Sequence, residues 1–216
     1  MDPLHFSIAL GPLAVYLLLL GVLHLSRHPF LTTGARDAAA LGVAISGFVI
    51  AGPMELFLPH AAATRFGPYV WVLLIAFYFL CLTLFVLLMR PRLVIYHVTA
   101  EQLRSLLATV AVDLDKEARW AGDSLSLPQL GVQLHLEPGG TLRCIQLVSA
   151  GPRQNYAGWR RLELSLGLAV RRLRVGRNPF GLSFALLGIA LLILITVRVV
   201  SDPLNLQQAL SNMFRT

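Results

Sequence analysis

The sequence is poor in charge, in lysine and in cysteine. Charged residues make up 13% of its 216 positions, while 56% are hydrophobic. A soluble globular chain carries about twice that share of charge. So little polar surface rules out a single water-soluble globule and points to a membrane protein. Lys116 is the one lysine among 18 basic residues; that bias matches a GC-rich bacterial genome and has no bearing on mechanism. The two cysteines, Cys81 and Cys144, sit in an apolar run and in a polar region. Neither has a neighbour at zinc or redox spacing, so both read as buried thiols.

Catalytic signatures are missing as well. There is no glycine-rich phosphate loop, and Ser124, Ser126, His97 and His135 fall into no spacing of nucleophile, base and orienting acid. His24 and His28 share the i, i+4 spacing of many metal sites, but Pro29 follows at once and no nearby carboxylate or cysteine adds a ligand. The expectation is therefore no cofactor, no metal and no catalysis.

What the sequence does have is long apolar runs. Four are long enough to cross a hydrocarbon core, which takes about 20 helical residues: Phe6 to Leu25, Ala38 to Leu58, Tyr69 to Met89, and Phe180 to Val200. The first has no Lys or Arg ahead of it and no small-x-small cleavage site after it, and is expected to be retained rather than removed as a signal peptide. Arginine placement sets the orientation. Arg27, Arg36, Arg90, Arg92, Arg171, Arg172, Arg174 and Arg177 flank the spans on one side, against Arg65, Arg198 and Arg215 on the other. The expected arrangement is a multi-pass protein of the bacterial inner membrane with both termini extracytoplasmic and residues 91–178 in the cytoplasm. Residues 1–90 then hold three spans, 179–201 a fourth, and 202–216 a short amphipathic tail on the outer surface.

The formal charge of +7 would suit nucleic acid if it were spread over a soluble domain. Instead Arg171, Arg172, Arg174 and Arg177 crowd into one juxtamembrane segment, the pattern that attracts anionic headgroups. The expected partners are an anionic bilayer surface and another membrane protein or a second copy of the chain, not nucleic acid.

The spans differ in character. The second is rich in Ala and Gly, which let helices approach closely in a bilayer; the third is bulky throughout, with Tyr69 and Trp71 at one end. Counting back from Glu55 in helical steps gives Ala51, Gly47, Ala44 and Ala40, so the carboxylate continues the small-residue stripe. Intramembrane charge is costly and usually paired. Arg198, near the outer end of the fourth span, is the expected partner, although it lies off the face formed by Gly181, Ala185 and Gly188.

Between the third and fourth spans the pattern changes to that of a two-layer α+β domain. "RLVIYHV" reads as a strand; Thr99 with Gln102 reads as a capping box opening a helix with Leu103, Leu106, Leu107, Val110 and Leu114 on one face. Three or four short alternating runs with Gly and Pro turns follow, and then a helix from about Tyr156 to Arg174. The expected architecture is β-α-β3/4-α, an antiparallel sheet with two helices on one face. That order of elements resembles the half-repeat of TATA-binding-protein-like and helix-grip folds; the resemblance covers element order alone, shares no motif and implies no activity. The uncovered sheet face would present Gln133, His135 and Arg143, a possible interaction surface.

The function expected from these features is that of an accessory, scaffold or sensor subunit without catalysis, displaying a small cytoplasmic interaction domain. The alternative is a small oligomeric transporter or channel, in which Pro12 and Gly52-Pro53 kink helices and Glu55 serves as an intramembrane proton or cation site.

Overall fold

The structure is a computed structural model and describes residues 3–54, 67, 69–138, 144–152, 154–176 and 178–201. Glu55, His60, Arg65, Arg143, Arg177 and the tail 202–216 lie outside the described residues. The chain divides into two compact units, one formed by Met1–Gly21, Ala38–Leu87 and Ser183–Thr216, the other by Val22–Asp37 and Leu88–Leu182.

The first unit is built from apolar helices: α1 (Pro3–Leu25), α2 (Gly34–Val49), α3 (Tyr69–Leu88) and α6 (Phe180–Ser201). All four are long and apolar enough to cross a membrane. Small residues set their contacts. Gly47 of α2 lies against the backbone carbonyls of Ile8 and Ala9, where a Cβ would collide. The Tyr78 hydroxyl of α3 donates to the Gly42 carbonyl of α2 at 2.7 Å. Ala185 and Gly188 of α6 meet Gly21, Leu18 and Ala14 of α1. In α2, 28% of the most apolar stretch is buried, against 17% in α1, 11% in α6 and 6% in α3. The Ala- and Gly-rich helix is thus the best covered and the bulky one the least. The expected stripe on α2 is only partly buried: Gly47 and Ala44 are covered, Ala51 is half-buried and Ala40 is exposed. After Val49 the helix widens into a π-helical turn, Ile50–Met54. Pro53 supplies no N–H, so the regular hydrogen-bond ladder cannot continue through it.

The second unit is an antiparallel sheet with strands β1 (Phe30–Thr33), β2 (Arg92–Tyr96), β3 (Arg119–Ala121), β4 (Ser124–Leu127), β5 (Val132–Pro138) and β6 (Cys144–Ser149), in the order β1-β2-β6-β5-β4-β3. Helices α4 (Ala100–Leu114) and α5 (Tyr156–Arg172) complete it. The first strand is an addition to the expected β-α-β3/4-α order. It comes from the connection between α1 and α2 and pairs with β2 from Phe30↔Tyr96 to Thr33↔Leu93. "FLTT" is too short to stand out as a strand, and it forms one because β2 offers it a paired edge.

Alternation explains the layers. Leu93, Ile95, Leu125, Leu127, Val132, Leu134, Leu136, Ile145 and Leu147 point to one side and form a core with Leu103, Leu107, Val110, Trp159, Leu162, Leu166 and Val170 of the two helices. Thr99 begins α4 with both bonds of a capping box. Asp115 ends it, buried, its carboxylate accepting from the Glu117 and Gln129 backbone at 2.9 and 2.8 Å. Asn155 caps α5 through the backbone N–H groups of Ala157 and Gly158.

Candidate functional site

Two polar regions of the α+β unit invite chemistry. The first is the sheet face turned away from α4 and α5. Gln133 and His135 alternate outward on β5 and are exposed; across the ladder Ser124 pairs with His135 and Ser126 with Gln133. The Ser124 hydroxyl and His135 Nδ1 are 3.0 Å apart. Among the described residues no carboxylate hydrogen-bonds to His135 to complete a nucleophile, base and orienter set. Gln133 is tied into the fold through its backbone, which exchanges hydrogen bonds with the Gln154 side chain at 3.3 and 3.1 Å.

The second region lies at the β1–β2 edge of the same face, where Asp37 and Tyr96 are half-buried beside the buried His24, His97 and Asn178. Thr33 ends β1 and caps α2, its hydroxyl accepting from the Arg36 backbone at 3.3 Å. One strand-to-helix step therefore places Asp37 in the first turn of α2, where a negative charge suits the helix dipole. The Tyr96 hydroxyl donates to the Asp37 carboxylate at 2.6 Å, the short distance of a charge-assisted bond. Fully buried His24 sets its ring edge-on to Tyr96, centroids 5.8 Å apart, and to His97 at 6.5 Å. His97 holds a left-handed backbone (φ 68°), which is uncommon for a side-chain-bearing residue. Asn178, also buried, donates its backbone N–H to the His24 carbonyl at 3.3 Å and caps α6 by accepting from the Phe180 N–H at 3.2 Å.

Cys144 faces this cluster from β6. Burial, and secondarily the Asp37 charge, pushes its thiol up to about 11. A thiol held protonated is a poor nucleophile and a poor metal ligand. Among the described residues no group of three His, Cys, Asp or Glu side chains is placed to hold a metal ion. His24 and His28 do not share a helical face, because α1 ends at Leu25; His24 is buried and His28 exposed. The knot of Asp37, Tyr96, His24 and Asn178 is suited to fastening. It joins the sheet to the first turn of α2, the last turn of α1 and the cap of α6.

Of the residues singled out from the sequence, Arg198 is exposed on α6, while Arg171, Arg172 and Arg174 are exposed at and just beyond the end of α5. Sequence reasoning passed over Asp37 and Tyr96. The available signal was an acidic residue at the start of an apolar run, where a carboxylate needs a donor.

The chain is thus helix-rich, with four apolar helices and an antiparallel α+β unit. No protein family, curated protein or solved structure matches it.

Proposed function

We propose that the protein crosses the inner membrane four times with both termini outside, and that residues 91–178 form a cytoplasmic, non-catalytic domain serving as an accessory, scaffold or sensor element for another membrane protein. One observation carries this reading: the α+β unit is continuous with the ends of all four apolar helices. It takes in the α1–α2 connection as β1, follows α3 directly with β2, and runs from α5 through Asn178 into α6. The chain therefore enters or leaves the domain at one end of each apolar helix. The eight-to-three arginine asymmetry supports the orientation, and the Arg171 to Arg177 segment supports contact with anionic headgroups. The test is purification from native membranes in mild detergent, followed by mass spectrometry of what stays bound. A reproducible stoichiometric protein partner supports the reading; a homo-oligomer without partners sinks it.

A second reading rests on the π-helical turn Ile50–Met54, since such turns recur at functional sites and leave backbone groups available. Followed at once by Glu55, it suits a small oligomeric transporter or channel. Loss of transport in Glu55→Gln at unchanged protein level would favour it, and loss of folded protein would instead assign Glu55 to packing.

A further inference from the structure

We propose that the groove between β1 and α5 is a headgroup site for one anionic phospholipid, a reading that rests on the membrane insertion proposed above. The groove is open, about 350 Å³ in volume, and lies wholly within the α+β unit. Its lining combines two kinds of group that a phospholipid needs together.

The first kind is cationic. Arg36, in the first turn of α2, contributes Nη1 to the Glu163 carboxylate at 3.0 Å while its side chain stays 73% exposed. That single contact steadies the guanidinium over the groove and leaves the rest of its five-donor fork for another acceptor. Arg171, the second cation, is exposed at the groove's margin. Two guanidinium groups against one carboxylate leave the groove positive, which selects an anion, and the fork geometry suits phosphate oxygens.

The second kind is apolar. Leu164 and Leu168 stand one helical turn apart on α5 and are 62% and 64% exposed, and Phe30 on β1 is 43% exposed. Arg160 and Arg161 precede this leucine pair and Arg171 and Arg172 follow it, all exposed on the same helix. Exposed leucines bracketed by arginines are the pattern of a helix lying in a bilayer interface, the apolar side chains among the upper acyl carbons and the cations at the phosphates. A free phosphate ion would use the arginines and leave the leucines in water; a phospholipid uses both. Chain continuity favours the same occupant. Phe30 belongs to the connection joining two apolar helices and Arg36 belongs to one of them, so insertion of α1 and α2 keeps these residues in the headgroup layer, where phospholipid is the most concentrated anion.

The test uses the full chain in nanodiscs of phosphatidylcholine, with and without phosphatidylglycerol, and counts by mass spectrometry the lipids retained after gentle release. Phosphatidylglycerol should be retained in preference to phosphatidylcholine, and Arg36→Gln and Arg171→Gln should each lower that preference about fivefold. Leu164→Ser with Leu168→Ser should also lower retention, while Arg104→Gln, whose guanidinium is held by Asp123 and Gly122, should not. Should Arg36→Gln fail to fold, Arg171→Gln and the serine pair, which alter exposed side chains, carry the same test. Equal retention of the two lipids, or a preference untouched by the variants, overturns the site. So does displacement of the lipid by inorganic phosphate with no effect of the serine pair. A chain that enters phosphatidylcholine discs but shows no preference loses this site alone; one that will not enter them loses the membrane reading too.

Discussion

The apolar helices and the α+β unit hold themselves together by opposite means. In the α+β unit the large aliphatic side chains are inside: Leu107, Leu134, Leu162 and Leu166 are completely buried. In the helices the large side chains are outside and the small ones inside, with Leu80, Leu84, Leu87 and Leu187 more than half exposed while Ala14 and Ala44 are buried. Burying apolar area drives folding in water. In the membrane insertion proposed above, the surroundings of the helices are as apolar as leucine, that drive vanishes, and close backbone approach through Ala and Gly takes its place. The same residue type thus carries a different energetic meaning in the two regions.

Truncation sharpens this contrast most. Leu166→Ala in the α+β core should cost about 2–5 kcal/mol, whereas Leu187→Ala on α6, 52% exposed, should shift the unfolding midpoint in detergent hardly at all. Equal losses at the two sites would break the comparison. The next effect comes from Tyr96→Phe, which leaves the Asp37 carboxylate without its 2.6 Å donor. A loss of about 1–3 kcal/mol is expected, read as earlier protease cleavage in the 22–37 connection; a neutral result would show that the knot does not fasten the sheet.

The smallest effect concerns Cys144. With the folded thiol raised to about 11 from its ordinary value of 9.0, the folded state keeps its proton where the unfolded chain loses it. The stabilisation is complete below pH 9 and is lost as pH rises from 9 toward 11. Alkylation of Cys144 at pH 8 should be slow in the native protein and faster in Asp37→Asn, because removing that charge lowers the thiol pKa. Equal rates would remove Asp37 from the account.

Much of this architecture was legible in the chain. Four apolar runs, the Thr99–Gln102 capping box and the Leu103 to Leu114 face could be read from sequence because helical periodicity and capping are local. The meander was legible because Gly and Pro turns separate alternating runs. What escaped was non-local: "FLTT" has no strand signature of its own, and nothing near Asp37 in sequence announces Tyr96. Nor does the Arg36–Glu163 contact, which spans 127 positions, leave any local trace.

Composition and periodicity by themselves determined the class of protein, four apolar helices and an α+β unit inserted in sequence between the third and the fourth, because the count and spacing of apolar residues fix which surfaces need covering. The tertiary structure alone decided that the first connection joins the sheet, that Asp37 meets Tyr96, and that Phe30 and Arg36 share a groove with Leu168 and Arg171. The physical reason is that strand edges and charged side chains find their partners through space, and the positions of those partners are set only once the whole chain has folded.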